Sequence, residues 1–347
     1  MCEMEGLLGM KTTRFVVIFL LFISVYVLLF SFKESQFANV VNKKAEYNKS
    51  LDSALDAALE GIVESADGNS VTVDKDACVS NFYNCLYASF NALDSETTQA
   101  MLKLYTPILA VADEDGLYVY YSDTVNGEVQ KVWSQKIPYT RHFTTTSVDA
   151  TGAVGYTVNF QLDDTVTIKI DGDDSIYSGR YSELVKNYAN ATGSEYKAIR
   201  AVLAGEVFSA EGYFELWRSQ VITECITDKL SYYVNRHNRI AAMYGEQFTF
   251  QLPVSASSDI SRSISDVSFM CFFQGYPYGS ATSDVYSNFE ISGAHVTKNS
   301  GYYTRVVDGY LYYHKPSCNK GSGEQNWYAT QEECAWAGAL PCPYCNP

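Results

Sequence analysis

"PILAVADEDGLYVYYSD", residues 107–123, decides the fold class. Two apolar, β-rich runs flank Asp113 to Gly116, a pattern that predicts a β-hairpin with Asp115 and Gly116 as its turn residues. Downstream, "EVQKVWSQKI", "VGYTVNFQL" and "TVTIKI" are each bounded by Gly, Asp, Asn or Pro and read as further strands. "QFTFQLPVS" and "SISDVSFMCFFQGYPYG" return to strand nearer the C-terminus. Between these sets lies residues 211–245, "EGYFELWRSQVITECITDKLSYYVNRHNRIAAMYG", where Phe214, Trp217, Val221, Ile222, Ile226, Leu230, Tyr233 and Val234 form one helical stripe and Gly245 supplies the stop. Upstream of the hairpin, "DACVSNFYNCLYASFNALDS" reads as a shorter helix, followed by another that ends near Tyr105. The order helix, sheet, helix, sheet predicts an α+β protein with a mainly antiparallel sheet and a long packed helix.

At the N-terminus, "FVVIFLLFISVYVLLFSF", residues 15–32, carries no charge and matches the length of roughly 20 residues that a bilayer-crossing helix needs. Lys11 and Arg14 precede it, which predicts an N-terminus held in the cytoplasm and a C-terminal domain outside the cell. Beyond it, Val41, Ala45, Leu51, Leu55, Ala58, Leu59 and Ile62 keep a helical period, so the helix is expected to continue outward until "SADGNS", residues 65–70. The expected organisation is a stub over 1–13, a transmembrane helix over 14–32, an amphipathic juxtamembrane helix over 33–66, an α+β ectodomain over 67–305 and a Cys/His-rich module over 306–347. This layout is that of a single-pass membrane protein. Its long N-terminal helix can pack laterally against identical copies, which predicts a homo-oligomer and partner subunits within a larger assembly.

Composition excludes one class of partner. With 25 Lys and Arg against 40 Asp and Glu, the net charge is −15, which is the wrong sign for a surface that neutralises phosphates, so no nucleic acid is expected. The 28 tyrosines suit solvated strand faces and also wet contact surfaces, which leaves a ligand-binding or adhesive role open around Tyr118 to Tyr121 and residues 272–279.

The sequence contains no Walker A loop, dinucleotide glycine fingerprint, HExxH motif or nucleophile elbow, which favours a non-enzymatic role. His237, with Glu224 and Asp228 on the same long helix, is the least implausible acid and base set, although a polar-face helical His is ordinarily a solvated residue. "DGDD", residues 171–174, lacks the EF-hand glycine because Ile176 stands at its sixth position, and turn chemistry explains it.

Eight of the nine cysteines follow the apolar run, an even number compatible with disulfides. Cys78 and Cys85 are seven apart on one predicted helix, too far to bridge each other, so Cys225 or Cys271 would be their partners. The terminal "CPYC", Cys342 to Cys345, has only two residues after it and cannot start the helix that redox chemistry requires. Upstream, His314 and Cys318 are four apart. His314, Cys318, Cys342 and Cys345 make a soft four-ligand set of the kind that zinc takes in closed structural sites. Cys334 between them is an alternative ligand or disulfide partner, so bridges Cys318 to Cys334 and Cys342 to Cys345 stand beside zinc as the rival reading.

The tail "LYYHKPSC...YATQEECAWAGALPCPYC" resembles the small zinc-binding module related to the metal-binding domain of the Ada repair protein, over roughly the last 38 residues. That resemblance implies a structural zinc on the four residues just named, with Cys334 where the pattern usually has Ala. The stub, apolar helix and helical continuation are similar in layout to pilin-like and pseudopilin-like components of bacterial type II secretion and Tad pilus machines, over about the first 65 residues. That likeness implies a structural subunit of a pilus or secretion assembly.

Overall fold

A computed structural model describes the chain apart from residues 1, 65–70, 147–152, 246, 265, 278–284, 295–301, 308, 315–317, 319, 321, 329–330 and 346–347. It opens with one unbroken helix, α1 (Cys2–Leu59), a rod about 87 Å long at 1.5 Å per residue. Its C-terminal end is part of the protein body, because Leu51, Ala54, Leu55 and Ala58 are buried at helical spacing. The helix stops at Leu59, and Gly61 lets the next elements close on its end. A Cβ at Gly61 would lie 2.7 Å from the backbone nitrogen of Cys78 and 2.9 Å from Asp74 O. The turn expected over 65–70 lies outside the described residues.

The membrane-spanning helix expected over 14–32 is not supported. Among the described residues no helix is long and apolar enough to cross a membrane. The single-pass anchoring, and the division into an inner stub and an outer domain, lose their basis with it.

After α1, a short ribbon pairs β1 (Ile62–Glu64) with β2 (Val71–Val73). Asp74 then caps α2 (Lys75–Ser89) by accepting from Ala77 N, and Ser95 caps α3 (Glu96–Leu104) by accepting from Thr98 N. The predicted hairpin follows as β3 (Ile108–Asp113) and β4 (Gly116–Val125). Asp113 pairs with Gly116, so the turn residues are Glu114 and Asp115, one position earlier than expected. A second hairpin joins β4 to β5 (Glu128–Trp133) through Asn126 and Gly127, whose φ values of 53° and 86° match the two-residue turn that Asn-Gly favours.

The chain continues through β6 (Ile137–Thr146), β7 (Ala153–Phe160), β8 (Thr165–Ile170) and β9 (Ile176–Arg180), then α4 (Tyr181–Tyr188) and α5 (Lys197–Leu203). Next come the long helix α6 (Glu211–Met243), α7 (Ala256–Ser263), β10 (Val267–Pro277) and β11 (Val285–Ala294). Nine strands form one antiparallel sheet in the order β11-β10-β3-β4-β6-β7-β8-β9, with β5 also on β4. The first residues of β4 pair with β6 and its later ones with β5, so two strands share one edge.

Strand alternation assigns the two faces. Phe269, Val111 and Tyr118 are register partners and share a face, and Phe82 of α2 packs on Phe269 at 5.7 Å. Tyr121 points to the opposite face and meets Tyr233 of α6 at 4.3 Å. The β10 strand is therefore buried on both sides from Val267 to Phe273, which is why it reads as a continuous apolar run. One core extends from Leu51 to Phe289.

"QFTFQLPVS" is not a strand. Its backbone is held by side chains instead of a ladder: Asn238 Nδ2 donates to Phe250 O at 2.8 Å, and Gln251 N donates to Gln274 Oε1 at 2.9 Å. Phe248 and Phe250 stack on each other at 4.5 Å and on His237, which fixes the segment as a packed loop.

The C-terminal module is a separate sheet in the order β14-β12-β13-β15, built from β12 (Tyr302–Val307), β13 (Tyr310–His314), β14 (Ser322–Tyr328) and β15 (Leu340–Pro341). α8 (Gln331–Trp336) lies between β14 and β15 and is followed by Gly338 at φ 83°. The module's own core is small, consisting of Tyr313, Cys334 and Ala339.

Candidate metal centre

The register of the small sheet brings the four expected ligands together. β12 places Tyr303 opposite His314, and the two rings stack at 5.1 Å and 15°, which fixes the imidazole plane. β15 runs parallel to β13, and Cys342 N donates to Tyr313 O at 3.0 Å, so the terminal Cys-Pro-Tyr-Cys turn is docked beside the end of the histidine strand. His314, Cys318, Cys342 and Cys345 each bring one ligand atom, all within 4.8 Å of one another. Four sulfur or nitrogen donors around a tetrahedral zinc lie about 3.8 Å apart, given Zn–S near 2.3 Å, so a small contraction completes the shell.

The donors are in suitable environments. His314 and Cys342 are fully buried, and His314 Nδ1 lies 3.3 Å from Cys318 Sγ. Burial and the nearby Arg305 guanidinium push the His314 pKa down, which favours the neutral, ligating imidazole. Burial acts to raise the Cys342 thiol, but backbone N–H groups of Cys345 and Tyr344, and the Cys345 and Cys318 thiols, hold it below its ordinary value. A thiol inclined to ionise is the form a metal takes. His314 Nε2 is buried without a hydrogen-bond partner. The set could therefore hold a metal ion, and its chemistry fits one that prefers sulfur and imidazole.

Cys334 is not in the group. It is fully buried against Tyr313 and Ala339, and burial followed by Glu333 pushes its thiol up, so it acts as a small core hydrophobe. No disulfide joins the eight cysteines whose side chains are described, so the bridge Cys318 to Cys334, the bridge Cys342 to Cys345 and the pairings expected for Cys78 and Cys85 are absent among them. Cys78 is spent against Gly61, and Cys225 donates to Pro138 O.

The acid and base set on α6 does not converge. Glu224 is bound by Arg141 at 2.9 Å and by Gln220 at 2.8 Å, some 20 Å along the axis from His237. His237 is not solvated: it is 3% exposed, Nδ1 lies 3.2 Å from Ser122 Oγ, and burial with the Lys131 charge holds its pKa down to about 3. At "DGDD", Asp171 pairs with His142 and Asp173 accepts from Ser175 N, the ordinary work of a turn. Sequence reading missed the surroundings of His237, including Lys131 of β5, because strand alternation says where a lysine stem starts and not where its tip ends.

Fold and site together define an α+β protein with a compact Cys/His module at its C-terminal end. Comparison with protein-family models, with curated proteins and with solved structures returned no match to this chain.

Proposed function

We propose that this protein is a non-enzymatic structural component that assembles through the N-terminal rod and carries a zinc-clamped module as a second contact surface. The observation that carries this reading is the surface of α1. From Phe19 to Phe30, Phe19, Leu20, Phe22, Tyr26, Leu28 and Leu29 are all more than half exposed, and they point in every direction around the axis. A helix that is apolar on all sides is stable only when covered, and identical rods offer a complementary cover. Because Leu51 to Ala58 anchor the same helix in the core, contacts along the rod fix the spacing of the bodies. The module adds Tyr310, Trp336 and Tyr344 as large exposed apolar side chains on a small surface, as a contact surface requires.

Light scattering on the full chain, separated by size, tests the reading. The expected result is a discrete multimer that dissociates to a folded monomer in the double variant Phe22→Asp, Leu29→Asp with its metal content unchanged. A monomeric parent chain, or a polydisperse aggregate of no fixed stoichiometry, would overturn it.

A further inference from the structure

Beyond the start of β3 at Ile108, β4 and β5 run on under α2 and α3, and these elements line an open cleft of 710 Å³. Lys131 of β5 lines this cleft, with its stem partly exposed and its Nζ enclosed, donating to Thr106 O at 2.6 Å and Pro107 O at 2.8 Å. Two neutral carbonyls are weak compensation for a buried ammonium. No carboxylate is among the groups acting on it: burial first, then Lys103, push its pKa down to about 7, opposed only by the Cys271 thiol. Asp76 at the rim accepts from Trp133 Nε1 at 2.8 Å.

Other walls of the cleft offer donors. Tyr83 and Tyr87 of α2 are 5% and 7% exposed, and neither hydroxyl has a partner of hydrogen-bond geometry, although Thr106 lies close to Tyr83. Burial raises both phenols, Tyr87 to about 12, so both stay O–H donors. The two rings stack at 5.7 Å, and Tyr120 and Val79 add apolar surface. His237 closes the floor as a neutral ring. An ammonium held only by two carbonyls, two tyrosine hydroxyls without a hydrogen bond and flat aromatic walls suit an anion with a flat apolar body, which would sit away from Asp76 at the rim.

We propose that this cleft binds a small flat monocarboxylate, with its carboxylate seated between Lys131 Nζ and the hydroxyls of Tyr83 and Tyr87 and its apolar body against the tyrosine rings. The carboxylate satisfies the orphan donors, and its charge returns the lysine to the ammonium form. The titratable groups on the cleft walls with Lys131 are Asp76 at the rim, Tyr83 and Tyr87 from α2, Lys103 from α3, Tyr120 from β4 and His237 from α6, while Lys103 and, from β10, Cys271 are the ones that act on its charge. His237 is held neutral, and the tyrosines and Cys271 are pushed up, which makes Lys131 the group that changes charge near neutrality.

Titration calorimetry of the full chain with benzoate at pH 6 tests this, with benzamide as the neutral isostere and inorganic phosphate as the bare anion. Benzoate is expected to bind with Kd on the order of 0.1–1 mM, and benzamide and phosphate at least about tenfold more weakly. Lys131→Met is expected to weaken benzoate at least about tenfold, and Tyr87→Phe by about three- to fivefold. Parent affinity should fall by about tenfold from pH 6 to pH 8, since the ammonium is lost over that range. The proposal is overturned if benzoate gives no saturable heat, if benzamide or phosphate binds as tightly, or if the affinity is flat with pH. Should Lys131→Met not fold, the pH profile and the Tyr87→Phe variant decide the matter alone.

Discussion

The body and the C-terminal module solve the same problem at different scales. The body closes one core from Leu51 to Phe289, with helices on both faces of its central strands. The module has four strands and one short helix around Tyr313, Cys334 and Ala339. Apolar burial grows with chain length, so a large body stands on packing alone while a segment of about 40 residues needs a staple. The ligand group sits where that staple is needed, between the last residue of β13 and the end of the chain. Under the proposed zinc clamp, what differs between the regions is the source of their stability, and each can be broken separately.

The largest effect is expected from metal. Stripping it with a strong chelator, or replacing Cys342 with Ser, should abolish amide-exchange protection across β12 to β15 and leave β3, β4 and β10 protected, because structural zinc contributes about 10–16 kcal/mol to such modules. Unchanged protection in the module would mean that its few apolar contacts suffice. Next comes the body. Phe269→Ala removes a fully buried ring packed on Phe82 and should cost about 3–5 kcal/mol in denaturant unfolding of the body, with metal stoichiometry intact. The smallest effect sharpens the comparison within the module. Cys334→Ala should destabilise it by about 1 kcal/mol without altering bound metal, as expected of a core thiol outside the ligand shell. A fall in metal content in that variant would place Cys334 among the ligands.

Parts of this comparison were legible beforehand. The hairpin at 107–123, the helix from Glu211 and the strand at 267–277 follow from local apolar periods, which backbone geometry imposes on any buried element. The four-ligand set was legible from residue type and spacing. Asn126-Gly127 is itself a hairpin turn signal, and it makes Glu128–Trp133 a strand of its own, separate from the start of β6 with which the run 128–137 reads as one strand. "QFTFQLPVS" alternates like a strand, yet no strand edge is available to it, and Asn238 and Gln274 take its backbone instead. His237 was misplaced for a related reason: its helix is buried on a wide face, and Phe248 and Phe250 cover the ring from a loop outside the helix. The N-terminal apolar run likewise predicts a continuous helix, which ends at Leu59 with Ile62 already in a strand instead of continuing to residue 66, and a membrane span that the described residues do not support.

By itself the sequence determined the type of most elements, the acidic net charge and the identity of the candidate ligands, since these depend on composition and on neighbours a few residues apart. Only the tertiary structure decided which strands share the edge of β4, that Cys334 is core, and that Lys131 and two tyrosine hydroxyls converge in one cleft. The reason is physical: the cost of burying a polar group depends on atoms brought together from distant parts of the chain, and no local period records it.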